Sequence, residues 1–277
     1  MDKDFWASIS KNDYKIPDGY TLDELTRTLF GYLGNTDPEL RDDIAYIVYA
    51  NWLKRDMYTK DEIYGHVTEL LANLEKGNGE IESDSVFLRS FSVLLLAEIV
   101  HNDNKKSLFG KEQIQTILTK GLWYLETEKD PRAYIPGKGW AHSLAHTADL
   151  MMVLGRNRHL GEDELKRILN GIATKTMRPN NYVYIHREDE RLASAITEVL
   201  QRGLLDIDFV EKWAKDFLQP DKFKYNGMFE EETSRLYQNT RNLWRSLYLQ
   251  TVNRDELPHS EKLQMLLLQV LQSLQQF

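Results

Sequence analysis

The sequence predicts an all-α fold, a HEAT- or armadillo-like stack of antiparallel helical hairpins (an α-solenoid) with about eleven helices. Three observations carry this. Apolar residues recur at helical spacing along most of the chain, and no stretch alternates convincingly as a strand would. Helix-start signals recur: a hydroxyl ahead of a carboxylate three positions on, or a proline at the first helical position. The starts fall near residues 21, 37, 59, 83, 111, 139, 161, 186, 208 and 231. Taken in pairs they repeat at roughly 40 to 50 residues, the period of HEAT hairpins. No sequence self-similarity accompanies that period, so a compact irregular bundle is the competing architecture.

Residues 1–20 are polar and aromatic with little period and read as an N-terminal arm; residues 21–277 read as one helical-repeat domain. Thr21 and Glu24 form a capping box, and Gly34 stops the helix that follows. Asp37-Pro38 opens the next, through Ile44, Ile47, Val48 and Trp52. Thr59 and Glu62 open a third, ending near Gly77-Asn78-Gly79. Ser83 or Asp84 caps a fourth through Val86, Val93, Leu96 and Val100, and a fifth runs from Lys111 to Glu126. A loop with two prolines, Lys129 to Lys138, leads to a helix read from Gly139 to Leu154. Further helices begin at Gly161, at the acidic run after His186, at Asp208, at Glu231 and at Ser260; Pro220 to Gly227 is a loop. Tyr182 to Ile185 reads as a short extended piece, and the last helix covers the end of the stack.

Composition bounds function. Hydrophobic residues at 42% and charged residues at 28% of 277 are ordinary for a soluble protein with a sizeable core. Lys plus Arg at 35 against Asp plus Glu at 43 leaves a net charge of −8, which argues against a nucleic-acid partner held by its backbone. The chain has no cysteine, so disulfides, thiolate metal sites and cysteine nucleophiles are excluded. The N-terminus lacks the pattern of a signal peptide, and the apolar run Val93 to Ala97 is too short to span a bilayer. The expectation is a bacterial-type cytoplasmic protein with no membrane span.

Function is expected on the stretch from Gly139 to Asp149. His142, His146 and Asp149 stand at i, i+4 and i+7 and would share one helix face, beside a stripe of Ala141, Ala145 and Ala148 that admits a close neighbour. The second helix of each predicted pair places an ionisable residue in an apolar line. These are Asp43 with Leu40 and Ile47, Arg89 with Val86 and Val93, the two histidines, Glu188 with Leu192, and Arg241 with Trp244. Buried alone, each would cost several kcal/mol. They are therefore expected either to pair as a structural network or to face one polar concave groove.

The blocks Gly139-Trp140-Ala141-His142-Ser143-Leu144-Ala145-His146-Thr147-Ala148-Asp149-Leu150, Arg89-Ser90-Phe91-Ser92, Glu188-Asp189-Glu190-Arg191-Leu192 and Arg241-Asn242-Leu243 resemble those of a bacterial family of unknown function marked by a GWAHS-x-AH-x-ADL motif. The resemblance spans about residues 20 to 250. It implies a helical fold and a shared site, and it brings no activity with it.

Three chemistries suit the motif. Two imidazoles one turn apart can chelate a divalent ion, which makes a metal-dependent hydrolase using His142 and His146 the alternative; His186 and Glu188 are candidate third ligands, and Asp149 suits orienting His146. Ser143 near His142 as a nucleophile, with a His146–Asp149 pair as general base, is disfavoured, because the adjacent Ser143 and His142 would diverge on a helix. Binding without chemistry is the reading preferred here. The groove would be formed by Asp43, Arg89, Trp140, His142, Ser143, His146, Asp149, Glu188, Arg191 and Arg241, for a protein, a peptide or a small anionic ligand, with no cofactor. Against it stands the plainer expectation that both histidines are hydrogen-bonded core residues.

Overall fold

A computed structural model describes residues 1–218, 230–254 and 256–274. The expected loop Pro220 to Gly227 and the last three residues of the final helix lie outside them. The described residues are mostly helical with almost no strand, consecutive helices packing on one another, and they divide into two compact units.

The first unit comprises Met1–Phe109 and Thr127–Thr147. Within the expected arm, α1 (Lys3–Lys11) is capped by Asp2, whose carboxylate accepts the Phe5 N–H, and it buries Trp6 and Ile9. The capping boxes Thr21/Glu24 and Thr59/Glu62 both form, opening α2 (Leu22–Tyr32) and α4 (Lys60–Asn73). Between them a π-helix, Glu39–Tyr46, runs into α3 (Ile47–Lys54). Its wider turn changes which residues face inward. Arg41, Ile44, Ala45 and Val48 are buried, whereas Asp43 is exposed and Ile47 is 38% exposed. The expected apolar line through Leu40, Asp43 and Ile47 assumed ordinary helical spacing, and the π register breaks it.

Helix α5 (Ser85–Lys106) packs against α4, α3 and the π-helix. It is long and apolar enough to cross a membrane by length and composition, but 72% of its most apolar window is buried inside the protein. Val86, Phe87, Val93, Leu95, Leu96, Ile99 and Val100 are all fully buried, so it serves as the core rod of the unit. After it the chain forms a two-stranded hairpin, β1 (Tyr134–Ile135) and β2 (Gly139–Trp140), where the sequence suggested no strand.

The second unit comprises Gly110–Glu126 and Ala148–Phe277. It contains α6 (Lys111–Thr127) and most of α7 (Ser143–Gly155), then α8 (Glu162–Thr176), α9 (Glu188–Gln201), α10 (Ile207–Leu218), α11 (Glu231–Val252) and α12 (Ser260–Leu274). Helix α11 packs on α9, α8 and α12, and α10 packs on α8 and α12. An aromatic core forms where Trp213 and Phe217 meet Trp244. Gly171 lets α8 approach α6, since a Cβ there would lie 2.9 Å from Leu122 Cδ2. Glu198, mostly buried, bonds both Arg156 and Arg254 and so ties α9 to the ends of α7 and α11.

Arg41 is the costliest buried group of the first unit. It is fully buried, yet its Nη1 donates to Asn35 O at 2.8 Å and its Nη2 to Lys138 O at 2.9 Å. Its guanidinium lies 4.1 Å from the Phe87 ring centre and 4.8 Å from that of Phe91. Asp42 adds an ion pair at 2.8 Å. Burial lifts the Asp42 carboxyl to about 6, against the pull of Arg41. The folded state thus holds a proton that the unfolded chain has already released. The resulting stability is full below the ordinary value of 3.8 and is lost as pH rises through about 6. Asp42→Asn is expected to remove up to about 1.4 kcal/mol per pH unit from the fall in unfolding free energy between about pH 4 and 6. Above about pH 6 it should also raise absolute stability, because the buried carboxyl that resists ionisation is gone. Denaturant titrations at several pH values measure both effects, and an unchanged pH slope contradicts the assignment.

Candidate functional site

The hairpin pairs Tyr134 with Trp140 and Ile135 with Gly139, and the Ala141 N–H extends it by donating to Ala133 O at 2.6 Å. Gly139 is required here. Its φ is +78°, and a Cβ would lie 2.9 Å from Pro38 Cβ and 3.2 Å from Arg41 Nη2. The hairpin backbone therefore lies directly on the π-helix.

His142 then adopts a left-handed backbone, φ +53°, and turns the chain into α7, whose first residue is Ser143. This corrects the expectation of a helix beginning at Gly139. His142 precedes the helix, its carbonyl accepting the His146 N–H at 2.9 Å, so the two histidines do not share a helix face. The His142 ring instead turns back and stacks on Trp140, centres 4.3 Å apart and planes 8° apart. The histidine rings still meet, their centres 5.6 Å apart.

His146 is fixed from its other side. Its ring meets Phe91 edge-on at 5.2 Å, and its Nδ1 lies 2.9 Å from Ser90 Oγ. The Ser90 hydroxyl donates its single proton to the Ala141 carbonyl. The Nδ1 must then carry the proton that reaches Ser90 Oγ, leaving Nε2 as the lone-pair nitrogen of the neutral ring. The result is one column of contacts: Arg41, Phe91, His146, His142, Trp140 and, edge-on at 4.9 Å, Tyr134. Its inner end is buried, while Trp140 is 38% and Tyr134 51% exposed.

The other expected site residues lie elsewhere. Ser143 is buried and donates to Asp130 O at 2.8 Å, so its hydroxyl is committed to structure. Arg89 is a buried strut: it grips Glu128 at 2.6 and 3.2 Å and also bonds Ser85 Oγ and Lys76 O. Asp43 is exposed. In the second unit Asp149 pairs with Arg191 at 2.7 Å, Arg241 donates to Gln238 Oε1 at 2.6 Å, and Glu188 is buried with Tyr182 and His186 around it. Among the described residues no group of three or more histidines and carboxylates is placed to hold a metal ion. Sequence reasoning missed Arg41, Ser90 as the partner of His146, and Tyr134. A π-helix has no sequence signature, and the Ser90–His146 contact joins residues 56 positions apart.

The fold and this site define an all-α protein with an aromatic column. Comparison with protein families matches residues 70–249 to one described as "Protein of unknown function (DUF2785)". The match spans well over half of the 277 residues, and the chain belongs to that family. Neither curated proteins nor solved structures return a match.

Ser90→Ala removes the acceptor of the His146 Nδ1–H and leaves the buried Ala141 carbonyl without the Ser90 proton. Its expected cost in denaturant unfolding is about 1–3 kcal/mol. A loss within about 0.5 kcal/mol, as for a surface change, would show that Ser90 does not hold the column.

Proposed function

We propose that the protein is a recognition module that binds a protein partner through the exposed end of the column, Tyr134 and Trp140, displayed on the hairpin. The carrying observation is the exposure of these two large aromatics on a backbone fixed by Gly139, Arg41 and the His142 stack. Exposed Tyr and Trp on rigid backbone are the residues that dominate interface energies, since they bury much area and lose little freedom.

The surroundings favour a partner with apolar and basic side chains over a small anion. Lys138 is neutralised by Asp84, Arg132 by Asp130, and the neighbouring loop exposes Glu80 and Glu82. Aromatic faces themselves repel anions. The metal-hydrolase alternative gains no support, because Ser143 and Ser90 both donate to backbone carbonyls and a third ligand is missing among the described residues. The HEAT-like arrangement and a bacterial, cytoplasmic setting are parts of this proposal. The spacing of helix starts supports the first, and composition and motif resemblance support the rest.

A photo-crosslinking amino acid at position 134 tests the reading in the source cells. A discrete protein adduct is expected with Trp140 present and at least tenfold less of it in Trp140→Ala, whose circular dichroism should match the parent. Equal adducts in both backgrounds, or none, contradict the proposal.

A further inference from the structure

Glu188 is the first residue of α9 and is 1% exposed. Such a carboxylate is normally matched by a cation. Here no lysine or arginine among the described residues lies within ion-pair distance of it. Its Oε2 accepts the His186 backbone N–H at 2.9 Å, and its Oε1 has the Tyr182 hydroxyl at 3.4 Å, the long limit of a hydrogen bond. Its own backbone N–H is a further partner, and the His186 imidazole also acts on it. Burial holds the carboxyl above the usual range.

A second observation points to the same place. The Tyr184 hydroxyl is buried and has no hydrogen-bond partner among the described residues. Burial, then the charges of Glu188 and Asp189, push its ionisation well up, so both carboxylates lie within electrostatic reach of the phenol. Tyr182 and Tyr184 are held in register by one side chain. Asn239 Oδ1 accepts the Tyr184 N–H at 2.8 Å and its Nδ2 donates to Tyr182 O at 2.9 Å. In extended chain, residues two apart point to the same side. Tyr182 is half-buried and Tyr184 buried, so the pair runs from the surface inward.

We infer that Glu188, Tyr182 and Tyr184 form a binding site for a protonated amine in the second unit. The donor set suits that class. It offers one buried carboxylate, two phenolic oxygens that accept, and two aromatic rings that attract cations. An ammonium group brings three N–H donors and the charge that no described lysine or arginine supplies to Glu188. A bare metal ion fits less well, since no group of three metal-type side chains gathers here. The site stands on different residues from the hairpin and does not depend on that reading.

The test is thermal unfolding of the full chain at fixed pH and chloride, titrated with n-butylammonium and methylammonium chlorides, against sodium and tetramethylammonium chlorides. The primary amines are expected to raise the midpoint saturably by several degrees beyond the two controls. Glu188→Gln keeps the acceptor for the His186 N–H and should fold, while abolishing that difference. Tyr184→Phe should weaken the apparent affinity about tenfold. Three results overturn the site: no difference between amines and controls, an equal rise with sodium, or a rise that persists in Glu188→Gln. A larger rise with n-butylammonium than with methylammonium points to an alkyl amine such as a lysine side chain, and the reverse to a small free amine.

Discussion

The burial of one guanidinium constrains the first unit. Arg41 stands where its sequence neighbours would place a surface charge, and desolvation lowers its proton affinity. It remains ionised because two carbonyls, two aromatic faces and Asp42 surround it. Removing a carbonyl or a ring leaves a buried cation less satisfied, a defect that costs several kcal/mol. The group therefore enforces the geometry of whatever it touches. It touches three things at once: the loop at Asn35, helix α5 through Phe87 and Phe91, and the hairpin through Lys138.

That triple contact explains why so short a hairpin holds its place. Two residues per strand do not make a stable sheet in water. Here the hairpin is a clasp, pressed against Pro38 and Arg41 at a glycine with no room for a side chain. The left-handed turn at His142 follows directly, sending the imidazole back over Trp140 while the backbone enters α7. Packing inside and exposure outside thus share one chain of rings. Order at the surface is inherited from the core, which lowers the entropy that a partner would have to overcome on binding.

Much of the fold was legible in the sequence, and the reason is local. Capping boxes at Thr21 and Thr59, the proline after Asp37 and the glycine stops are short-range signals, and they set helix starts to within a few residues. Amphipathic spacing identified Val86, Val93, Leu96 and Val100 as core residues of α5. The site was legible only in part. The stretch around Trp140 and the histidines was found from its composition, but its conformation was misjudged, because positive φ at Gly139 and His142 is imposed by contacts with Pro38, Arg41 and Ser90 far away in sequence. The π-helix displaced Asp43 and hid Arg41 for a similar reason: its wider register is a tertiary choice. Glu188 was singled out as an ionisable residue in an apolar line, yet its two tyrosines were not, since a clamp from Asn239 sets their direction.

Amide hydrogen exchange at residues 133–142, in the wild type and in Arg41→Leu, tests the central claim most directly. The account predicts that the Ala141 amide, bonded to Ala133 O, is protected in the wild type to nearly the same degree as the interior of α5, and that Arg41→Leu releases this segment while α4 and α5 stay protected. Wild-type exchange at Ala141 as fast as in an open loop would contradict a pre-ordered platform. So would a substitution that leaves the protection of this segment untouched.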